Sequence, residues 1–119
     1  MSYDHRLLCE RVALRLQRKP NSSLRELSRE LHVSRGTIQN AVNAVTGKKF
    51  RELREELLLM RLGNLLESAP NATIRKVSLE AGYKSPRSFA RAVRRASGVT
   101  PRQLRTRIAD ELLASKAQV

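Results

Sequence analysis

At 119 residues the chain has the length of one domain, and two Tyr, two Phe and no Trp leave its core to Leu, Val, Ile and Ala, which suits packed helices better than a β-sandwich. Twenty-four Lys and Arg against eleven Asp and Glu give a formal charge of +13 and a pI near 11.4, which points to a polyanionic partner: DNA, RNA or an acidic membrane surface. The lone Cys9 excludes an intramolecular disulfide, His5 and His32 lack partners at metal-ligand spacing, and no apolar run of about 18 residues is present, so no metal, no cofactor and no membrane span are expected.

The first element in chain order is a helix over Tyr3–Lys19 with Leu8, Val12 and Leu16 on one face; Cys9 sits among them as a small core residue. Ser23 is a good N-cap, and Glu26 three positions on completes a capping box. Leu24, Leu27 and Leu31 then mark one face of a second helix. Only His32 and Val33 precede the next cap, Ser34, so the two helices must cross sharply. Ile38, Ala41, Val42 and Val45 recur at i, i+3, i+4 and i+7 as a buried stripe, and Gly47 closes that helix.

Phe50 to Ser68 reads as a linker helix. Leu57-Leu58-Leu59-Met60 and Leu65-Leu66 make it apolar on more than one face, as expected of a strut gripped from both sides. Gly63 in its interior costs about 1 kcal/mol relative to Ala and fits either a bend or a close helix crossing. Beyond it, Thr73 caps a helix with Ile74, Val77 and Ala81 inside, and Gly82 makes the turn. Ser85 caps the next helix, with Pro86 in its first position, where a missing N–H is harmless. Phe89, Ala92, Val93 and Ala96 form its buried stripe, Gly98 ends it, and Thr100-Pro101 opens a last helix with Leu104, Ile108 and Leu112 inside.

These elements repeat. Pro20-Asn21-Ser22-Ser23-Leu24-Arg25 returns as Pro70-Asn71-Ala72-Thr73-Ile74-Arg75, and Leu27, Ser28 and Glu30 return as Val77, Ser78 and Glu80. After one inserted residue, Lys84, the positions of Ser34, Ile38, Ala41, Val42 and Gly47 correspond to Ser85, Phe89, Ala92, Val93 and Gly98. Two copies make a pseudo-symmetric pair, not a solenoid. The expected fold is all-α: a seven-helix domain of two helix-turn-helix subdomains, 3–49 and 69–117, joined by the linker helix 50–68.

The charge is concentrated. Ala81 to Ala109 contains no acidic residue, yet it holds Lys84, Arg87, Arg91, Arg94, Arg95, Arg102, Arg105 and Arg107. A major groove about 12 Å wide admits a helix whose outer side chains reach base edges. In the first unit the residues opposite the Ile38 stripe are Arg35, Gly36, Gln39, Asn40 and Asn43; in the second, Arg87, Ala90 and Arg91, with Arg94 beside them. Gln and Asn suit bidentate bonding to adenine, and Arg suits guanine N7 and O6. Phosphate contacts fall to Lys48, Lys49 and Arg51 after the first recognition helix and to Arg94, Arg95, Arg102 and Arg105 in the second unit. The amides at Ser23, Thr73 and Thr100 are further candidates, at helix ends. A linker of roughly 18 residues is about 27 Å long and, with the bodies of the units added, puts the two recognition helices roughly one DNA turn of about 34 Å apart.

Ile74-Arg75-Lys76-Val77-Ser78, Ala81-Gly82-Tyr83, Ser85-Pro86-Arg87-Ser88-Phe89, Arg91, Gly98-Val99-Thr100-Pro101 and Leu104-Arg105 together resemble the signature of the AraC/XylS family of transcription regulators, in its DNA-binding domain. Leu104 stands where that family has Tyr or Phe. The first unit matches more loosely through Leu27-Ser28, Val33-Ser34, Gly47 and Phe50, and the resemblance covers residues 5–107. In the linker the family's Arg and Ala fall on Leu58 and Leu62, with Arg54 and Arg61 one turn to either side. Gly36 and Asn40 stand where relatives place larger base-contacting side chains. The resemblance implies promoter regulation in the bacterial cytoplasm or nucleoid, with RNA polymerase as a further partner.

The expected function is therefore a sequence-specific regulator that binds double-stranded DNA as a monomer. The alternative is a weakly specific architectural or recombinase-type module. RNA binding is disfavoured by the few aromatics available for base stacking. An enzyme is not expected: there is no phosphate-binding Gly loop, no metal cluster and no nucleophile with a base, and adjacent Glu55-Glu56 point apart on a helix.

Overall fold

The computed structural model describes residues 4–117. They form seven helices and no strand: α1 His5–Arg18, α2 Leu24–Leu31, α3 Arg35–Thr46, α4 Phe50–Ser68, α5 Ile74–Glu80, α6 Pro86–Ser97 and α7 Pro101–Ala117. The chain divides at Leu58–Leu59 into two compact units, and α4 runs through that division.

In the first unit α1 begins at His5 rather than Tyr3, which lies outside the described residues. Its cap is Asp4, whose carboxylate accepts from the Arg6 and Leu7 N–H groups at 3.0 and 3.2 Å. Leu8, Cys9, Val12 and Leu16 of α1 enclose a core with Leu27 of α2, Ile38, Ala41 and Val42 of α3, and Phe50, Leu53 and Leu57 of α4. Truncating one of the fully buried members, such as Leu27, costs about 2–5 kcal/mol. Val45 departs from the expected stripe. It is 45 % exposed, in the last turn of α3.

The capping box at α2 forms as expected. Ser23 Oγ accepts from the Glu26 N–H at 3.0 Å, while Lys19 Nζ donates to the Glu26 carboxylate at 3.0 Å. The Lys19 ammonium, with backbone and side-chain hydrogen bonds from Ser23, holds the Glu26 carboxyl below its ordinary value. Burial pushes the Cys9 thiol up, with Glu10 adding to the effect, as befits a core residue.

Along α4 the buried positions are Phe50, Leu53, Leu57, Leu58, Leu62 and Leu66. Phe50, Leu53 and Leu57 share one face, while Leu58, Leu62 and Leu66 share another, roughly 150° round the helix, as expected of a helix apolar on more than one face; Met60 is 56 % exposed, and Leu59 and Leu65 are half-buried.

In the second unit α5, α6 and α7 pack in sequence. Val77, Ala81, Tyr83, Phe89, Ala92, Val93 and Leu104 are buried, and Tyr83 meets Phe89 edge-on with ring centroids 5.5 Å apart. Ser78, which hydropathy alone would not place inside, is fully buried and donates to the Arg75 carbonyl at 2.7 Å. Ile74, Ala96, Ile108 and Leu112 are half-buried rather than enclosed.

Candidate nucleic-acid interface

The seating of α3 decides which of its side chains remain available. Ser34 Oγ accepts from the Thr37 N–H at 3.1 Å and fixes the start of the helix; Gly47, with φ 71°, stops it. With Ile38, Ala41 and Val42 turned into the core, Arg35, Gly36, Gln39, Asn40 and Asn43 are left on the exposed side. Gln39, Asn40 and Asn43 line a surface depression together with Lys49, Phe50 and Arg51 from the start of α4. Three side-chain amides therefore lie beside two cations. Lys48 pairs with Glu56, and Arg51 Nε lies 3.4 Å from Glu55. These pairs are largely solvent-exposed, worth about 0–1 kcal/mol, and can exchange for a phosphate at small cost.

The second unit repeats this arrangement with more charge. Ser85 Oγ accepts from the Ser88 N–H at 3.2 Å, Pro86 occupies the first turn, and Gly98, with φ 80°, ends α6. Phe89, Ala92 and Val93 are buried; Arg87, Arg91, Arg94 and Arg95 are exposed, and Ala90 is half-buried. Among the described residues none of these four arginines has an ion-pair partner. Four guanidinium groups on one short helix with no internal neutralisation favour an external polyanion.

The remaining expected phosphate contacts are placed differently from one another. Arg102 is exposed at the start of α7. Arg105 is half-buried and donates through a terminal guanidinium nitrogen to the Ala72 carbonyl, tying α7 to the segment before α5. The Thr100 N–H donates to Gln103 Oε1 at 2.9 Å, and Thr100 Oγ1 accepts from the Gln103 N–H at 3.2 Å. That reciprocal cap is readable in the Thr100-Pro101-Arg102-Gln103 spacing. Ser23 is half-buried and Thr73 exposed, and the Thr73 hydroxyl accepts from the Lys76 N–H at 3.1 Å. The two arginines flanking the linker leucines differ in their surroundings. Arg54 lies over the Phe50 ring at 5.7 Å, whereas Arg61 Nε is buried with no hydrogen-bond partner among the described residues.

The family described as the helix-turn-helix domain matches residues 27–107. Histidine kinase P4 of Formosa agariphila is 33 % identical over 84 residues, 71 % of this chain, and the chain spans about 6 % of that curated relative's length. Among solved structures, the C-terminal domain of AraT, a response regulator from Geobacillus stearothermophilus, superposes with a TM-score of 0.70 at 22 % identity, covering 88 % of this chain and 85 % of that one. A transcriptional regulator from Chromobacterium violaceum, of the AraC-type DNA-binding domain-containing proteins, gives 0.66 at 21 % identity, over 87 % of this chain and 94 % of its own. A DNA-binding transcriptional dual regulator from Escherichia coli K-12 gives 0.64 at 21 %, over 87 % and 93 %.

Proposed function

The chain belongs to the AraC-type helix-turn-helix family of DNA-binding regulator domains, and from that premise we propose that it is a sequence-specific transcription regulator that lays α3 and α6 in successive major grooves of one duplex. The supporting observation is that both helices expose a polar face opposite a buried apolar stripe, with Gln and Asn on the first and unpaired arginines on the second. In this assignment Arg35, Gly36, Gln39, Asn40 and Asn43 approach bases in one groove, and Arg87, Ala90 and Arg91 in the next. Lys48, Lys49, Arg51, Arg94, Arg95 and Arg102 hold phosphates, with Ser23, Thr73, Thr100 and Arg105 at the margins of the contact. Because the two reading faces differ, the site is asymmetric and a monomer occupies it. RNA polymerase is the expected further partner at a promoter, and the bacterial cytoplasm the place of action. No helix of the described residues is long and apolar enough to cross a membrane.

Selection of bound duplexes from a random pool, followed by footprinting, tests this proposal. Two conserved half-sites about one turn apart are expected, and inserting roughly five base pairs between them should abolish joint binding. Recovery of no preferred sequence would favour a weakly specific architectural module.

A further inference from the structure

The outer face of α1 carries two leucines that the core does not use. Leu8, Cys9, Val12 and Leu16 are buried, whereas Leu7 is 45 % and Leu14 60 % exposed. At the helical repeat Leu7, Arg11, Leu14 and Arg18 fall on one stripe, opposite the buried one. Beside it, Arg11, Leu14, Arg15 and Arg18 line a depression closed on the α2 side by Glu30, Leu31 and His32. Glu30 is taken by Arg15 at 2.6 Å. Among the described residues Arg11 and Arg18 have no acidic partner, and the one acid of α1, Glu10, is on the flank away from them.

We propose that this stripe docks an acidic amphipathic helix of a partner protein. Its apolar residues would cover Leu7 and Leu14, and its carboxylates would face Arg11 and Arg18. A nucleic-acid backbone would satisfy the arginines but leave both leucines in water. A second copy of this face would set Arg11 and Arg18 against their own like. The surface is independent of the proposed reading face. Ile38, Ala41 and Val42 of α3 share one core with the buried residues of α1, so the opposite side of α3 points away from α1.

The test uses the full chain and a fluorescein-labelled peptide of about 14 residues, long enough for roughly four helical turns. The peptide has Leu at alternating three- and four-residue spacing and Glu elsewhere; a scramble of equal composition is the control. Anisotropy titration is expected to show saturable binding of the amphipathic peptide, with the scramble weaker by about tenfold or more. Leu14→Ser and the double substitution Arg11→Glu with Arg18→Glu should each weaken it similarly, with melting unchanged in both and duplex-DNA affinity unchanged in Leu14→Ser, which alters no charge. Saturating duplex DNA should not displace the peptide. Absence of saturable binding, equal binding of the scramble, indifference to Leu14→Ser, displacement by DNA, or capture by anionic vesicles alone would each overturn the proposal.

Discussion

His32 and Gly82 occupy the same place in the two units, and both have left-handed backbone, with φ of 56° and 89°. Each is followed by the same closing hydrogen bond: the Val33 N–H donates to the Ser28 carbonyl at 3.2 Å, and the Tyr83 N–H to the Ser78 carbonyl at 3.0 Å. This is the six-residue closure that lets a helix stop and the chain reverse within three residues. It sets how soon α3 follows α2, and α6 follows α5. Gly82 takes that conformation without a Cβ penalty; His32 pays one of about 1–2 kcal/mol.

His32→Gly should therefore stabilise the protein by about 0.5–1 kcal/mol, less than the full penalty because glycine also gains freedom in the unfolded chain. Gly82→Ala should destabilise it by about 1 kcal/mol or more. Urea or thermal melting of the two variants measures both effects. A loss of stability in His32→Gly would mean that the imidazole contributes contacts worth more than the backbone strain.

Gly63 is the other position where the fold is less stable than it could be. It lies inside α4 with helical backbone, and a Cβ built on it would meet no atom within 4 Å. Close packing therefore does not require glycine there. Gly63→Ala should raise stability by about 0.5–1 kcal/mol, read as a higher melting temperature. An unchanged or lower melting point would show that α4 is not a regular helix at this point in solution.

The sequence made the seven helices legible because their caps are chemical. Ser23, Ser34, Thr73 and Ser85 each accept from the N–H three residues on, as their positions imply. What it concealed was geometry beyond one helix. Val45 continues the apolar period of α3 yet is 45 % exposed, because burial depends on which turns a neighbouring element covers, and periodicity does not contain that. Arg105 reads as one more surface cation. Its engagement with the Ala72 carbonyl joins residues far apart in the chain, and no local pattern signals it. The exposed faces of α3 and α6 were legible for the opposite reason: once the buried stripe is known, the remaining positions follow from the helical repeat.

Binding should depend steeply on salt. In the proposed assignment Lys48, Lys49, Arg51, Arg94, Arg95 and Arg102 give about six phosphate contacts, and each lowers the slope of log K against log salt by about 0.9. Titrations between about 50 and 200 mM salt should give a slope near −5. A slope near zero would rule out binding dominated by phosphate.

Reading and gripping should separate at Arg91 and Arg102. Arg91 sits mid-way along α6, on the side away from buried Phe89 and Val93, where a guanidinium can reach base edges. Arg102 is exposed at the start of α7, outside the helix-turn-helix, where the backbone is the nearer target. Arg91→Ala should cost about 1–3 kcal/mol on the preferred duplex and flatten discrimination at one base position. Arg102→Ala should weaken preferred and random duplexes alike and reduce the salt slope by about one contact. Both residues are exposed, so neither substitution should alter helicity or melting, and circular dichroism checks that condition. If Arg91→Ala weakens preferred and random duplexes equally, α6 is an electrostatic clamp. Specificity would then fall to Gln39, Asn40 and Asn43 on α3, where Gln39→Ala should produce the loss of discrimination that Arg91→Ala did not.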